Sequence, residues 1–517
     1  MRKRSTYIIL ITIVLAIYYL VSGIYLNRLG YFNSETLFYI EKARIIFDGV
    51  GNRLKVMGLT APILPFYATF IFTSIDYVLA PVIASAIGTA LLFNLMVNTL
   101  LRDSKDDFYL AILLAIFLFH PGMLYTAISG KGIYLILIFF YLFFLNLFKF
   151  YRSSTTFHIS VASICLVILT FCEYKFIWLT LFFIPLVLSI TINSLNLSER
   201  ESIFRLFLSF NSPSLRRKLV NKTFALYMLI FILPVISVVC YKLLNLIHAN
   251  DLNYFIESPY ASWSVFVDNL NYNISTSTFS QKVPDMSVLL SAKILLYCPL
   301  ILLALYLFKE HTYQILTILT PFALLEFLRV KYERSYLSHE FYLIFVILAL
   351  LCIILKAQNF SNQKLFKIML SSGVVIQLFT GYYALKHSQV EDERDFMSIL
   401  LKPEVSTQQD DNRDLANYIN SLPDDSRVMI DDAIAYPIVA FIHNTKKLIM
   451  PYQEKYLTAV EAPRDAVDYM LVATTKNPVS GYTQLNPLYL ETVKANDASV
   501  SLKRIYEDDH WMLYRID

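Results

Sequence analysis

Charge is what this chain has little of: 16% of its 517 residues are Asp, Glu, Lys or Arg, against roughly 25% in an ordinary soluble domain. With 56% hydrophobic residues, that shortage excludes a chain dissolved throughout in water. The five cysteines, Cys165, Cys172, Cys240, Cys298 and Cys352, all lie in apolar segments without a CxxC pair. A disulfide framework and a cysteine metal site are thereby excluded, and no other metal ligand set stands out. A basic patch is missing too, which excludes nucleic acid as a partner. Glycine is scarce, 12 residues in all, but heavy use of Phe, Tyr, Ile, Lys and Asn accompanies it, as biased base composition produces, and no function follows.

What is present is apolar sequence gathered into stretches of about 20 residues, the length that crosses a hydrocarbon core of about 30 Å. The hydropathy pattern predicts spans near 7–25, 81–101, 108–127, 132–150, 158–172, 175–192, 222–243, 288–308, 312–328, 340–356 and 366–385. The basic start Met1-Arg-Lys-Arg precedes the first run, and no small-residue cleavage site follows it, so that run is read as an uncleaved span. Eleven spans from a cytoplasmic N-terminus put Arg102, Lys105, Arg152, Arg200, Arg205, Arg216, Arg217, Lys218 and Lys222 on the cytoplasmic side, as the positive-inside rule requires. The same alternation turns three longer segments outward: 26–80, 245–287 and everything after about Lys386.

The net charge of +4 hides an asymmetry. From Gln389 onward there are 13 Lys and Arg against 22 Asp and Glu, so an acidic tail follows a basic body. The division expected is a membrane part over 1–388 and an extracytoplasmic domain over 389–517. In the tail, helical patterns at Asp411 to Ser421 and Ala433 to His443 alternate with strand patterns at Arg427 to Ile430, Lys447 to Met450 and Val467 to Ala473. A hairpin of Leu502 to Tyr506 and Trp511 to Ile516 closes it. That order predicts a small, partly parallel sheet, an α/β domain. Asp431-Asp432 at the first strand's end suits a cation or an acceptor, though Asp before a helix is far more often a cap. Trp511 fits the core better than a sugar platform.

The first outer segment carries the most chemistry. Ser34 is placed to cap a helix on which Glu35, Tyr39 and Lys42 share one face at i, i+4 and i+7. A carboxylate would thereby be fixed at the membrane surface. The alternative is an amphipathic helix lying in the headgroups with solvated charges. The apolar run 61–73, bounded by Pro62 and Pro65, is short and predicts an interfacial helix. Glu173 and Lys175 lie between two spans, where two charges beside hydrocarbon call for pairing or a cavity.

Ser34-Glu35, Tyr39, Ala43-Arg44, Gly49 and Pro62 resemble, in order, a pattern of the GT-C superfamily of lipid-linked-sugar glycosyltransferases, in particular its protein O-mannosyltransferase and aminoarabinose-transferase branch. That branch carries an Asp-Glu pair after its first span, and here Ser34 stands in place of the Asp. His120-Pro121 with the loop Ala127 to Gly132 is similar to the family's span-end proline and small-residue loop, with Lys131 facing a phosphate or anchoring at the headgroups. Thr170 to Lys175 resembles its Thr-Lys turn, and Arg334-Ser-Tyr336-Leu its Arg-x-Tyr-Leu element.

The resemblance implies a polytopic helical fold and transfer of a sugar from a polyprenyl-phosphate donor to a glycan, lipid or protein acceptor at the outer face of a cell membrane. Glu35 would be the base. Lys131, Lys175, Arg334 and Tyr336 would bind the donor phosphate, supported by Ser34, Tyr39, Lys42, Arg44, His120 and Glu173. No cofactor is required, and a divalent cation stays open. Two rivals remain: a non-catalytic relative of the same fold serving envelope assembly, and a lipid or solute carrier. Against the carrier stands the expectation of no paired broken helices and no two-half symmetry.

Overall fold

The computed structural model describes residues 2–51, 56, 59–60, 62–103, 106–153, 155–194, 213–261, 283–332, 338–360, 362–388, 390–496 and 500–517. Arg334 and Tyr336 lie outside the described residues, as do 195–212 and 262–282.

A bundle of apolar helices makes up most of the chain: α1 (Arg2–Arg28), α2 (Ser34–Asp48), α3 (Ile63–Phe70), α4 (Ala80–Asp103), α5 (Asp107–Phe119), α6 (Pro121–Ile128), α7 (Ile133–Ser153), α8 (Thr156–Cys172), α9 (Leu179–Ser194), α10 (Pro213–Ala249), α11 (Val283–Tyr297), α12 (Leu300–Leu307), α13 (Thr312–Tyr332), α14 (Glu340–Lys356) and α15 (Gln363–Lys386). Six of the described helices are long and apolar enough to cross a membrane, or eight if each of two bent pairs is one span. The expected spans 158–172 and 340–356 fall on helices of 17 residues each, shorter than a hydrocarbon core of about 30 Å requires of an upright helix, whereas 175–192 falls on a 3-10 segment, Tyr174–Trp178, that leads straight into the 16-residue α9.

Burial separates two kinds of helix. On α14 every residue from Phe341 to Leu355 is buried, as befits an axial helix apolar all round. By contrast α1, α10 and α15 expose Tyr7, Leu10, Val14, Val235, Val239, Ile368 and Phe379. Water would not tolerate apolar faces of that extent on a monomer, and lipid does. The run 61–73 yields α3, eight residues, about 12 Å long. It is too short to span.

Two pairs of apolar helices are bent sharply at a short break, contrary to the expectation of no paired broken helices. α5 and α6 meet at 62°, and the pair ending in α12 is bent by 89°. Both breaks have a sequence cause, since Pro121 and Pro299 each lack the N–H that would continue the ladder.

After α15 come α16 (Glu391–Leu401) and α17 (Asp410–Ser421), then β1 (Val428–Met429), α18 (Asp432–Phe441), β2 (Leu448–Ile449), α19 (Lys455–Glu461), β3 (Tyr469–Ala473), α20 (Pro487–Asn496), β4 (Leu502–Glu507) and β5 (Trp511–Ile516). The strands form one sheet in the order β2-β1-β3-β5-β4, with β1 parallel to both β2 and β3, and β5 antiparallel to β3 and β4. Period-2 alternation sends Leu471 and Ala473 to one face and Met470 and Val472 to the other.

Helix α2 belongs to the first of those faces. Leu37, Phe38, Ile40 and Ile45 share one core with Leu415, Ile438 and Leu471, and the Phe38 and Tyr436 rings pack edge to face at 5.8 Å. The picture of α2 lying flat in headgroups is therefore overturned, because Thr36 to Ile46 are all buried. α16 instead joins the bundle: Phe396, Met397 and Ile399 pack into its core, with Phe396 against the Tyr31 and Tyr125 rings.

Candidate active site

Helix α2 starts one residue earlier than its sequence predicts. Asn33, not Ser34, is the N-cap: its Oδ1 accepts the backbone N–H groups of Glu35 and Thr36 at 3.0 and 3.4 Å. Ser34 becomes the first helical residue. Its N–H and Oγ donate to Asp392 at 3.1 and 3.0 Å, and the Asn33 amide adds a third donor to that carboxylate at 3.2 Å. The carboxylate that Ser34 holds comes from α16, 358 residues further on.

One turn into α2, Tyr39 donates to Glu35 at 2.5 Å, the i, i+4 contact its spacing predicts. Lys131, in the turn between α6 and α7, lies 3.3 Å from Glu35 and 2.6 Å from Glu340, the first residue of α14. All three are mostly buried, between 13% and 19% exposed. Burial pushes the Glu35 carboxyl above its ordinary value, with Lys131 opposing and Glu340 adding to the rise. Burial disfavours the Lys131 ammonium, but Glu340 and Glu35 more than offset it, so that lysine titrates above its usual range.

Glu173 and Lys175 pair with each other at 2.9 Å in the turn after α8. The Lys175 ammonium stands 5.8 Å from the ring of Phe341, the neighbour of Glu340. The turns after α6 and α8 and the starts of α2 and α14 thus bring Glu35, Tyr39, Lys131, Glu173 and Lys175 to the same end of the bundle.

Lys42 and Arg44 are turned elsewhere. Lys42 is fully buried, 2.8 Å from Asp432 and 3.1 Å from Glu41. Arg44 donates to the Ala440 carbonyl at 2.8 Å and lies over the Tyr77 ring. Both tie α2 to α18, so the helical face that joins Glu35 to Tyr39 does not extend to Lys42. Asp431 caps α18 through Ala433 N–H at 3.1 Å and accepts Thr483 Oγ1 at 2.6 Å, with burial raising its carboxyl to about 6.

His120 lies deeper, at the α5/α6 break, its ring 5.5 Å from that of Tyr297 at the second break. His120, Tyr297, His339 and Gln377 are buried, and none of their side-chain polar atoms has a hydrogen-bond partner. Among the described residues no group of three or more His, Cys, Asp or Glu is arranged to hold a metal ion.

Three residues of the site escaped sequence reasoning: Glu340, Asp392 and Glu393. The first opens an apolar span and reads there as an N-terminal helix charge, and the others sit in a run of acids. Only their partners mark them. The fold and site define a class no finer than a bundle of long apolar helices with a small α/β domain at one end and a carboxylate-lysine cluster beside that domain. Comparison with protein-family models and with curated proteins finds no match to this chain.

Proposed function

We propose that the protein is a multi-pass membrane glycosyltransferase of the GT-C type, which takes a sugar from a polyprenyl-phosphate donor and passes it to an acceptor hydroxyl at the outer face of a cell membrane. The observation that carries this reading is the contact of Glu35 with Lys131 and Tyr39. A buried carboxylate whose pKa is raised is a stronger base than a solvated one. The acceptor oxygen bonds to the anomeric carbon as the carbon–phosphate-oxygen bond breaks. The proton passes to Glu35, and the bonding pair leaves with polyprenyl phosphate. Lys131 and Lys175, with Arg334 and Tyr336, supply donors for the charge developing on that phosphate.

Purified protein in lipid, given a panel of polyprenyl-phosphate sugars and membrane-extracted acceptors, is expected to release polyprenyl phosphate from one of them. Absence of release across the panel would count against the reading.

A carrier reading is favoured by one observation: two bent helix pairs meet at His120 and Tyr297, whose polar atoms lack partners. Broken helices with free polar groups are how many transporters hold a substrate. Tyr297→Phe would then abolish flux, whereas in the enzyme reading it leaves most donor turnover intact.

A further inference from the structure

Two adjacent carboxylates on α16 hold the two residues that precede the site's own carboxylates. Asp392 accepts three hydrogen bonds at the start of α2, two of them from Ser34, next to Glu35. Glu393 accepts the His339 backbone N–H at 2.7 Å, next to Glu340, along with Ser388 Oγ at 2.6 Å and Ser338 Oγ at 3.4 Å. Glu35 and Glu340 then converge on the single ammonium of Lys131.

Each half of this arrangement has a physical reason. The first N–H groups of a helix lack intrahelical acceptors, and a carboxylate that accepts them fixes the helix start in place. α2 and α14 are 306 positions apart in the chain, and two ordinary caps would set each one separately. Neighbouring residues on one short helix set them relative to each other. Glu393 is itself buried and Asp392 partly so, and α16 is anchored in the bundle core by Phe396 and Met397. Charge-assisted bonds of this kind are among the stronger ones in a protein.

We propose that Asp392 and Glu393 are positioning residues: together they hold Glu35 and Glu340 at the distance at which one lysine serves both, so that the helix leading into the C-terminal domain sets the geometry of the active site. This rests on the proposed glycosyl transfer for its kinetic consequence but not for its structural one. Neither residue touches the reacting atoms. Both act through the backbone that carries the next residue.

The test uses the full chain in lipid nanodiscs with Asp392→Asn, Glu393→Gln and Ser34→Ala, each read in two ways. Donor turnover is expected to show kcat lowered ~10- to 100-fold with KM for the donor little changed, the mark of misplaced reacting groups. Independently, labelling of Glu35 by a hydrophobic carbodiimide, followed by peptide mass spectrometry across pH 5–9, is expected to show its midpoint moved by about half a pH unit or more.

Ser34→Ala removes one bond to Asp392 without touching a charge. It is expected to give a smaller shift of the same sign, non-additive with Asp392→Asn, and keeps the proposal testable if either acid variant fails to fold. Unchanged labelling in folded variants overturns the proposal. So does a loss of kcat with the Glu35 midpoint in place. If the wild-type protein turns over no donor, the transfer reading fails while the labelling still decides whether the two acids set Glu35.

Discussion

Lys42 and Asp432, 390 residues apart in the chain, meet at 2.8 Å as a fully buried ion pair between the first helix after α1 and the C-terminal sheet domain. Burial disfavours the Lys42 ammonium, yet Asp432 and Glu41 outweigh it and hold the lysine charged. Removing one charge leaves the other stranded, which costs about 3–5 kcal/mol. Lys42→Met is therefore expected to lower the thermal midpoint sharply in detergent. Lys42→Met with Asp432→Leu and Glu41→Met, which leaves neither carboxylate stranded, should recover much of the loss, and a single variant as stable as wild type would refute the pairing.

Glu340 and Lys131 act on Glu35 in opposite directions. Glu340→Gln removes a like charge and is expected to move the Glu35 carbodiimide-labelling midpoint to lower pH, whereas Lys131→Met removes the opposing cation and should move it higher. Equal shifts of the same sign would rule out the shared-lysine geometry.

Asp392 gives a pH signature. Burial raises its carboxyl to about 6, with the two Ser34 bonds holding it below where burial alone would place it. Because that lies above the ordinary aspartate value of about 3.9, the folded protein binds the proton more tightly than the unfolded chain. The resulting stability is present in full below about pH 4 and is lost as pH rises through about 6. Wild type minus Asp392→Asn, compared by thermal midpoint from pH 4.5 to 7.5, is expected to fall across that window. Asp431, with the same direction of shift, contributes to both proteins and cancels.

Gly122 follows the proline of the first helix break. A Cβ there would stand 2.2 Å from Tyr297 Oη and 2.7 Å from His339 Nε2, both buried. Gly122→Ala is expected to destabilise by about 1–3 kcal/mol. Adding Tyr297→Phe removes the nearer atom, and partial recovery of the thermal midpoint would confirm that the two breaks are packed against each other.

Local pattern carried much of this into the sequence. Apolar runs of fixed length announced the helices, alternation of helix and strand patterns announced a small, partly parallel sheet with a closing hairpin, and i, i+4 spacing announced Glu35 with Tyr39. Pairings across hundreds of residues leave no such period. Nothing near Lys42 points to Asp432, and nothing near Ser34 points to Asp392, so a face drawn from Glu35 through Lys42 was split between two partners. The helix breaks were marked by Pro121 and Pro299, but hydropathy averages over a window wider than a kink. Residue type suits Asn33 and Ser34 equally as the cap, and only the geometry of the turn separates them.

The most direct measurement of the central claim is sugar release from a turned-over polyprenyl-phosphate donor by Glu35→Gln beside wild type, with donor binding and thermal midpoint followed in the same samples. General base catalysis by Glu35 calls for a fall of ~10²- to 10⁴-fold in kcat with binding and fold retained. A Glu35→Gln protein that turns over the donor at the wild-type rate would contradict it.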